Sequence, residues 1–347
     1  MAPYIWACLA VYGFDYLLRC IKTRFTTATI RPLPELGVTR VEIPNINSGW
    51  RAGQHVRIRV VSSGMGIFGW SEVHPFTIAS HGNGSEQGMV LMIKKAGDWT
   101  EKLYEMAKKG GYTEKGYGNQ VQVMVEGPYG GPGLTMFASY SAAVFVCGGS
   151  GITFGLSAIE DLIYKDARQQ SRVKVIELVW TVQDACASFP CLIYISLLTL
   201  LFPAALVPLV PQLTALISSS MFVPIRVSVY YTRAPVGKFP FGPETQFHPR
   251  LSLSPGRPRI DRVLETVIDK TVTLGAGLKD DVKNSGVVVG VCGPVSLADS
   301  VAKETSKVDG SRRDQVGGID LIEEYVFIVS SVQYTVCLRC LRRAFGW

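Results

Sequence analysis

The chain has 347 residues, a formal net charge of +7 from 35 Lys+Arg against 28 Asp+Glu, and 47% hydrophobic against 18% charged residues. Mean hydropathy is +0.21, and an apolar balance of this kind excludes a disordered chain. The 35 Gly and 19 Pro follow no three-residue period, which excludes collagen, and the cations form no block that would suggest nucleic-acid binding. The length fits two domains, each burying its own core.

The first segment, Met1 to Leu18, is apolar apart from Asp15, and Arg19, Lys22 and Arg24 follow it. A secretory leader carries its charges before the apolar run, so this order predicts a membrane helix over 1–22 with everything after it on the cytoplasmic side. The segment is slightly short of the roughly 20 apolar residues of a full span, and the alternative is a buried or interfacial helix. From 25 to 135 the pattern becomes short strands separated by Gly, Pro, Asn and Ser: Thr26–Arg31, Val38–Ile43, His55–Val61, Phe76–Ala79, Met89–Lys94 and Val121–Glu126. That spacing predicts an antiparallel barrel or sandwich, interrupted by one helix from Glu101 to Lys109.

Near Tyr140 the pattern changes. Apolar strands at Ala142–Cys147, Val173–Thr181, Ile225–Tyr231 and Gly286–Cys292 alternate with helical periods at about Gly155–Gln169, Arg262–Thr271 and Ser296–Ser306. Buried strands alternating with helices predict a doubly wound parallel α/β sheet. Cys191 to Ile217 is nearly all apolar but carries Pro203, Pro208 and Pro211, so it reads as an irregular insertion and not as a span.

The cysteines, Cys8, Cys20, Cys147, Cys186, Cys191, Cys292, Cys337 and Cys340, are irregularly spaced and form no disulfide framework. Cys337 and Cys340 make one CxxC without the second ligand pair that zinc requires, and His55, His74, His81 and His248 do not cluster in sequence, so no metal site is expected.

Four motifs carry chemistry. Gly148-Gly149-Ser150-Gly151-Ile152-Thr153 follows a buried strand and opens a helix. Glycines there let the backbone approach a pyrophosphate, and the helix start supplies free N–H groups. Gly97-Asp98-Trp99-Thr100 precedes a second helix, with Thr100 placed to cap it and phosphate as the candidate ligand; an ordinary cap is the alternative. Cys292-Gly293-Pro294 ends a buried strand, where ligands of open α/β sheets bind, although Cys292 could equally be a small core residue. The fourth is His74-Pro75-Phe76-Thr77-Ile78-Ala79-Ser80.

As a set and in this order, these motifs resemble the ferric reductase and NADPH oxidase branch of the ferredoxin-NADP reductase superfamily. Gly97–Thr100, Gly127-Pro128-Tyr129-Gly130 and the opening Tyr4–Arg24 are most similar to fungal ferric-chelate reductases. The resemblance implies an α+β two-domain chain: an antiparallel FAD-binding β-barrel over 23–135, an NADP-binding α/β domain over 136–325, and residues 1–22 as the last helix of a membrane domain. It implies that His74, Pro75, Phe76, Thr77, Ile78, Ala79 and Ser80 line the flavin, with Pro75 to Thr77 along the isoalloxazine and ribityl chain. Gly97, Asp98, Trp99 and Thr100 would hold the FAD pyrophosphate. Gly148, Gly149, Ser150, Gly151, Ile152 and Thr153 would hold that of NADPH. Cys292, as the catalytic residue, would sit with Gly293 and Pro294 beside the nicotinamide. Arg233 and Arg257 are candidates for the 2′-phosphate, and Gln183, where an NAD enzyme prefers an acid, favours NADPH.

The implied activity is electron transfer from NADPH through FAD, and in the intact family through haem, to a ferric or cupric chelate. The alternatives are a superoxide-forming oxidase, a diaphorase serving a separate haem-bearing partner, and an inactive nucleotide-binding fragment. The family's haem histidines precede the flavin domain, and one His-free helix precedes residue 25 here, so this chain is expected to bind no haem. The stretches of about 185–205 and 325–343 are surplus to the family pattern and read as retained intron, which would displace the terminal aromatic Trp347.

Overall fold

The computed structural model describes residues 2–34, 37–66, 69–84, 87–113, 116–182, 209–232, 248–275, 284–329 and 332–336. The 185–205 stretch, Gln183, Arg233, Cys186, Cys191, Cys337, Cys340 and Trp347 lie outside them.

Helix α1 (Ala2–Lys22) is exposed along its length and runs directly into strand β1 (Thr23–Leu33). Then come β2 (Val38–Ile43), β3 (His55–Val61), β4 (His74–Thr77), β5 (Met89–Lys94), α2 (Asp98–Lys108), β6 (Gly111–Thr113) and β7 (Gly116–Tyr129). The strands form an antiparallel sheet in the order β4-β3-β7-β1-β2-β5, with β6 pairing β7. One bridge, Ile78 to Leu91, joins its two ends, so the sheet closes into a barrel. Alternation places Ala28 and Ile30, Val41 and Ile43, and Val56, Ile58 and Val60 inside. Helix α2 plugs one end with Trp99, Leu103, Met106 and Ala107.

The second sheet comprises β8 (Ala142–Gly148), β9 (Val175–Val182), β10 (Ile225–Tyr231), β11 (Leu251–Pro255), β12 (Val287–Gly293), β13 (Ile319–Val329) and β14 (Val332–Val336). Its order is β11-β10-β9-β8-β12-β13-β14, parallel except for the last pair. β8 and β12 are buried at every position, as strands covered on both faces must be. Helices α3 (Ile152–Asp166) and α4 (Leu209–Ser219) cover one face. Helices α5 (Ile260–Gly275), α6 (Val295–Lys307) and α7 (Gly310–Val316) cover the other. The protein is thus an antiparallel barrel followed by a doubly wound parallel sheet, with one apolar helix in front.

Several elements depart from the sequence reading. Helix α2 begins at Asp98, three residues before the expected Glu101, because Thr100 caps from inside the first turn: its Oγ1 accepts from the backbone N–H groups of Gly97 and Ala96, both at 2.9 Å. Helix α3 likewise starts at Ile152 and not near Gly155, since the glycine turn feeds it without a linker. The expected strand Phe76–Ala79 is shifted to His74–Thr77, and Ala79 instead donates to the Val90 carbonyl at 2.8 Å. The apolar insertion read as irregular over Cys191–Ile217 contains most of α4, whose Pro211 falls in the first turn, where no intrahelical N–H is needed. The tail does not end at β13: β14 folds back on it as an antiparallel edge.

Phe145 is fully buried at the centre of the α/β domain, edge-on to Phe137 and Phe154 at ring distances of 5.4 and 5.9 Å. Phe145→Ala is expected to cost about 3–5 kcal/mol, read as a fall in the chemical-denaturation midpoint.

Candidate functional site

Strand order fixes where a ligand can sit. Strand β9 pairs one side of β8 and β12 the other, so the chain reverses direction across the sheet between β8 and β12. A crevice opens beyond the carboxyl ends of these two strands. Both ends are glycine-rich, and the geometry shows why. A Cβ on Gly151 would lie 2.3 Å from the Cys292 carbonyl oxygen, and one on Gly148 would lie 2.8 Å from Cδ of Pro294. The two turns therefore touch backbone to backbone, bringing Gly148–Thr153 and Cys292–Pro294 together as expected. Gly149 adopts φ +54, with open space where its side chain would be, and its carbonyl accepts from Trp180 Nε1 at 2.9 Å. Thr153 Oγ1 donates to the Ser150 carbonyl, closing the turn.

The thiols of Cys147 and Cys292 are fully buried beside each other on neighbouring strands. Burial pushes Cys147 up to about 12 and Cys292 well above the ordinary thiol value, so both remain protonated.

Sequence reasoning missed a third group here. Glu324 on β13 pairs in register with Cys292, is 1% exposed, and has no hydrogen-bond partner on either oxygen among the described residues. Burial raises its carboxyl from 4.5 to about 8. Its Oε1 would be 3.1 Å from a Cβ on Gly53, at φ +87 in the β2–β3 loop, and Phe154 would crowd the same atom at 3.0 Å. The carboxyl therefore stands where the barrel loop meets the crevice. In the sequence Glu323 and Glu324 are simply adjacent, and nothing there marks which one faces inward. Thr181 Oγ1, at the end of β9 next to Gly148, is a second buried atom without a partner.

On the barrel, β4 splits its residues between two faces. Phe76 pairs with Val56 and His74 with Ile58, both core positions, while Pro75 pairs with Arg57 and Thr77 with His55 on the outer face. His74 and Phe76 pack against Trp99 at ring distances of 4.3 and 5.9 Å, which joins the β4 motif to the start of α2. Burial lowers the His74 imidazole below its ordinary value, with Glu72 at 3.3 Å opposing. Trp99 Nε1 is buried without a partner. Ile78 is sealed in the barrel core, and the Ser80 hydroxyl is engaged by the Gly88 carbonyl and the Val90 N–H, so both can reach a ligand only through backbone. Ala79 is likewise buried.

Among the described residues, Trp99 Nε1 on the barrel and Thr181 and Glu324 at the crevice are three of the buried polar groups without a partner, and they are the ones that stand beside the candidate motifs. Gly149 offers an open glycine turn at a helix start, and α2 begins at Gly97 and Asp98 next to the Trp99 stack, so each phosphate-binding motif stands at a helix N-terminus. Arg257 is exposed just past β11. Among the described residues there is no cluster that could hold a metal ion.

A barrel packed against a doubly wound sheet, with one helix-start cradle on each, defines a two-domain flavin- and pyridine-nucleotide-binding reductase. The fold agrees with a crystal structure of a ferredoxin NADP+ reductase from Neisseria gonorrhoeae, at TM-score 0.52 and 16% identity over 87% of this chain and 99% of that one. Residues 24–133 match an FAD-binding domain family and residues 140–187 match the ferric reductase NAD binding domain. The chain thus carries an FAD-binding domain and a nicotinamide-binding domain of the type found in ferric reductases. It is 32% identical over 160 residues to probable ferric reduction oxidase 1 of Arabidopsis thaliana, which covers 46% of this chain and 20% of that protein. It is 28% identical over 198 residues to the probable cell surface ferric reductase kap2 of Aspergillus oryzae, which covers 51% and 24%. The chain thus spans a quarter or less of these relatives.

Because the Glu324 carboxyl is raised in the folded state, its neutral form stabilises the fold. That contribution is complete below about 4.5 and is lost as pH rises through about 8. Glu324→Gln is expected to flatten the decline in stability across this window, measured as denaturation midpoints at a series of pH values; an unchanged slope would mean that Glu324 is not the buried acid.

Proposed function

We propose that this chain is the nucleotide- and flavin-handling part of a ferric-chelate reductase, taking electrons from NADPH and delivering them, through FAD and a haem-bearing membrane partner or domain, to a ferric or cupric chelate. The observation that carries this reading is the glycine-only contact between the β8 and β12 ends, with the unpartnered Glu324 and Thr181 beside it and the barrel loop across from it. FAD, when bound, supplies hydride acceptance and one-electron release.

The chain's own residues bind, orient and exclude water. The turn Gly148–Thr153 holds the NADPH pyrophosphate through backbone N–H groups. Cys292, its thiol buried beneath the glycine turn, would with Gly293 and Pro294 form the apolar floor on which the nicotinamide rests. Thr100 fixes the start of α2 so that Gly97, Asp98 and Trp99 meet the FAD pyrophosphate. Pro75 and Thr77 lie along the flavin on the outer face of β4, and His74 and Phe76 set that strand's position through Trp99. Arg257, with Arg233 beyond the described residues, is assigned to the 2′-phosphate.

Helix α1 is read as a membrane anchor. It is long and apolar enough to cross, with 20 residues and none of the span buried in the protein. Arg19, Lys22 and Arg24 at its end support a cytoplasmic side for the later domains. In this reading 1–22 is the membrane helix, 23–135 the FAD domain, 136–325 the NADP domain and 326–347 an appended tail.

Purified chain loaded with FAD is expected to lose its oxidised-flavin absorbance when NADPH is added without oxygen; flavin that stays bound and oxidised would overturn the reading. Cys292→Ala is expected to slow that bleaching roughly ten- to a hundredfold through misplacement of the nicotinamide, with flavin content unchanged.

A further inference from the structure

The end of α1 and the outer face of the barrel enclose a cavity of about 440 Å³. This is within the usual size of small-molecule sites, roughly 300–1,000 Å³. Tyr12, Tyr16 and Arg19 line it from α1, Arg57 and Arg59 from β3, and Glu126 from β7. Three guanidiniums and two carboxylates meet there: Arg19 is paired with Asp15 at 2.8 Å, while Arg57 and Arg59 flank Glu126. Glu126 already accepts the Tyr129 hydroxyl at 2.9 Å. Arg57 and Arg59 approach it only to 3.6 and 4.0 Å, beyond the 2.7–2.9 Å of a charge-assisted hydrogen bond. Their N–H donors are therefore largely unspent. Beside the cavity, Lys22 and Arg57 both approach the Tyr129 ring, at 5.3 and 5.5 Å from its centroid.

We propose that this cavity holds the phosphate headgroup of an anionic phospholipid in the leaflet that α1 enters. The inference rests on the reading of α1 as a membrane helix and adds a ligand to it. Three features select a lipid over a soluble anion. The cavity lies at the polar end of an exposed apolar helix, at the depth where headgroups stand. Tyr12 and Tyr16 are exposed on that helix within a turn or two of Arg19, the arrangement of side chains that settle at a bilayer interface. Phe25, 71% exposed on the adjoining outer face of β1, extends the apolar surface past the helix end. Guanidinium pairs match a phosphate diester as a fork. Because Pro75 also lines the cavity, a headgroup there would fix the angle at which β4 faces the bilayer.

The test uses the full chain in phosphatidylcholine vesicles carrying ~20 mol % of a headgroup-photoactivatable phosphatidylserine, with the charge contribution of basic residues at such surfaces as guide. Crosslinks are expected on the end of α1 and on β3. Arg57→Gln with Arg59→Gln is expected to cut that labelling about fivefold for each arginine removed, at an unchanged circular dichroism spectrum. Arg19→Gln, on the exposed helix and outside the barrel, is the second variant and is expected to lose about fivefold by itself. Labelling equal in wild type and both variants would overturn the proposal. So would labelling abolished by excess inorganic phosphate, which would identify a site for a soluble anion. Flotation with pure phosphatidylcholine vesicles separates the two failures: a chain that floats but shows no arginine-dependent labelling loses only the lipid site, whereas a chain that does not float loses the membrane helix as well.

Discussion

The structure turns on the approach of two backbone turns at the centre of the second sheet. No residue larger than glycine fits at 151, because the Cys292 carbonyl occupies the position its Cβ would take. That contact does three things together. It aims the first turn of α3 at the crevice, it holds the thiol of Cys292 beneath that turn, and it sets the end of β12 close enough for Glu324 on the next strand to complete the floor. The apolar character of β8 and β12 is the counterpart of the same constraint. Strands buried on both faces have no solvent-exposed residues to adjust, so all variation, and all chemistry, is displaced to their ends.

The barrel meets this crevice along α3, and the contacts there are polar. The Ser80 carbonyl accepts from both Trp50 and Ser157, His81 donates its backbone N–H to Glu160, and Asn83 reaches Asp161 at 2.9 Å. Burial raises Glu160 to about 7 against the opposing influence of Arg40 on the barrel. Among the described barrel residues only Ala52, from the β2–β3 loop, enters the apolar core of the α/β domain. The seam is thus specific in direction without being a continuation of either core. A polar seam of this kind leaves relative motion of the two domains as the expectation, because no large apolar interface locks them.

Much of this was legible in the sequence, and the misses share a cause. Continuous apolar runs located β8 and β12, and alternation located β2, β3 and β5 to the residue. Both helix starts next to phosphate motifs were placed three residues late. The sequence rule for a cap looks for a side chain before the helix, whereas at Gly97 the cap comes from Thr100 inside it and at Gly151 there is no side-chain cap. Glu324 was invisible for a different reason: its significance lies in register against Cys292 and in the approach of Gly53, two contacts distant in sequence. Helix α4 was hidden by its composition, since an apolar stretch punctuated by prolines signals breakage until one of those prolines is seen to sit in the first turn.

Strand β4 is where these parts become one device. It is four residues long, and its alternation gives each pair a separate task. His74 and Phe76 turn toward Trp99 and tie the strand to the helix that begins at Gly97. Pro75 and Thr77 fall on the other face, in register with Arg57 and His55, and Pro75 lines the cavity at the end of α1. At its end the chain passes through Ile78, which closes the barrel, and Ser80, whose carbonyl receives α3. Seven consecutive residues therefore touch the barrel core, helix α3 and the cavity at the end of α1. A ligand lying along the outer face of β4 would have the crevice of the second sheet on one side and the end of the apolar helix on the other. That order follows from the pleat of one short strand.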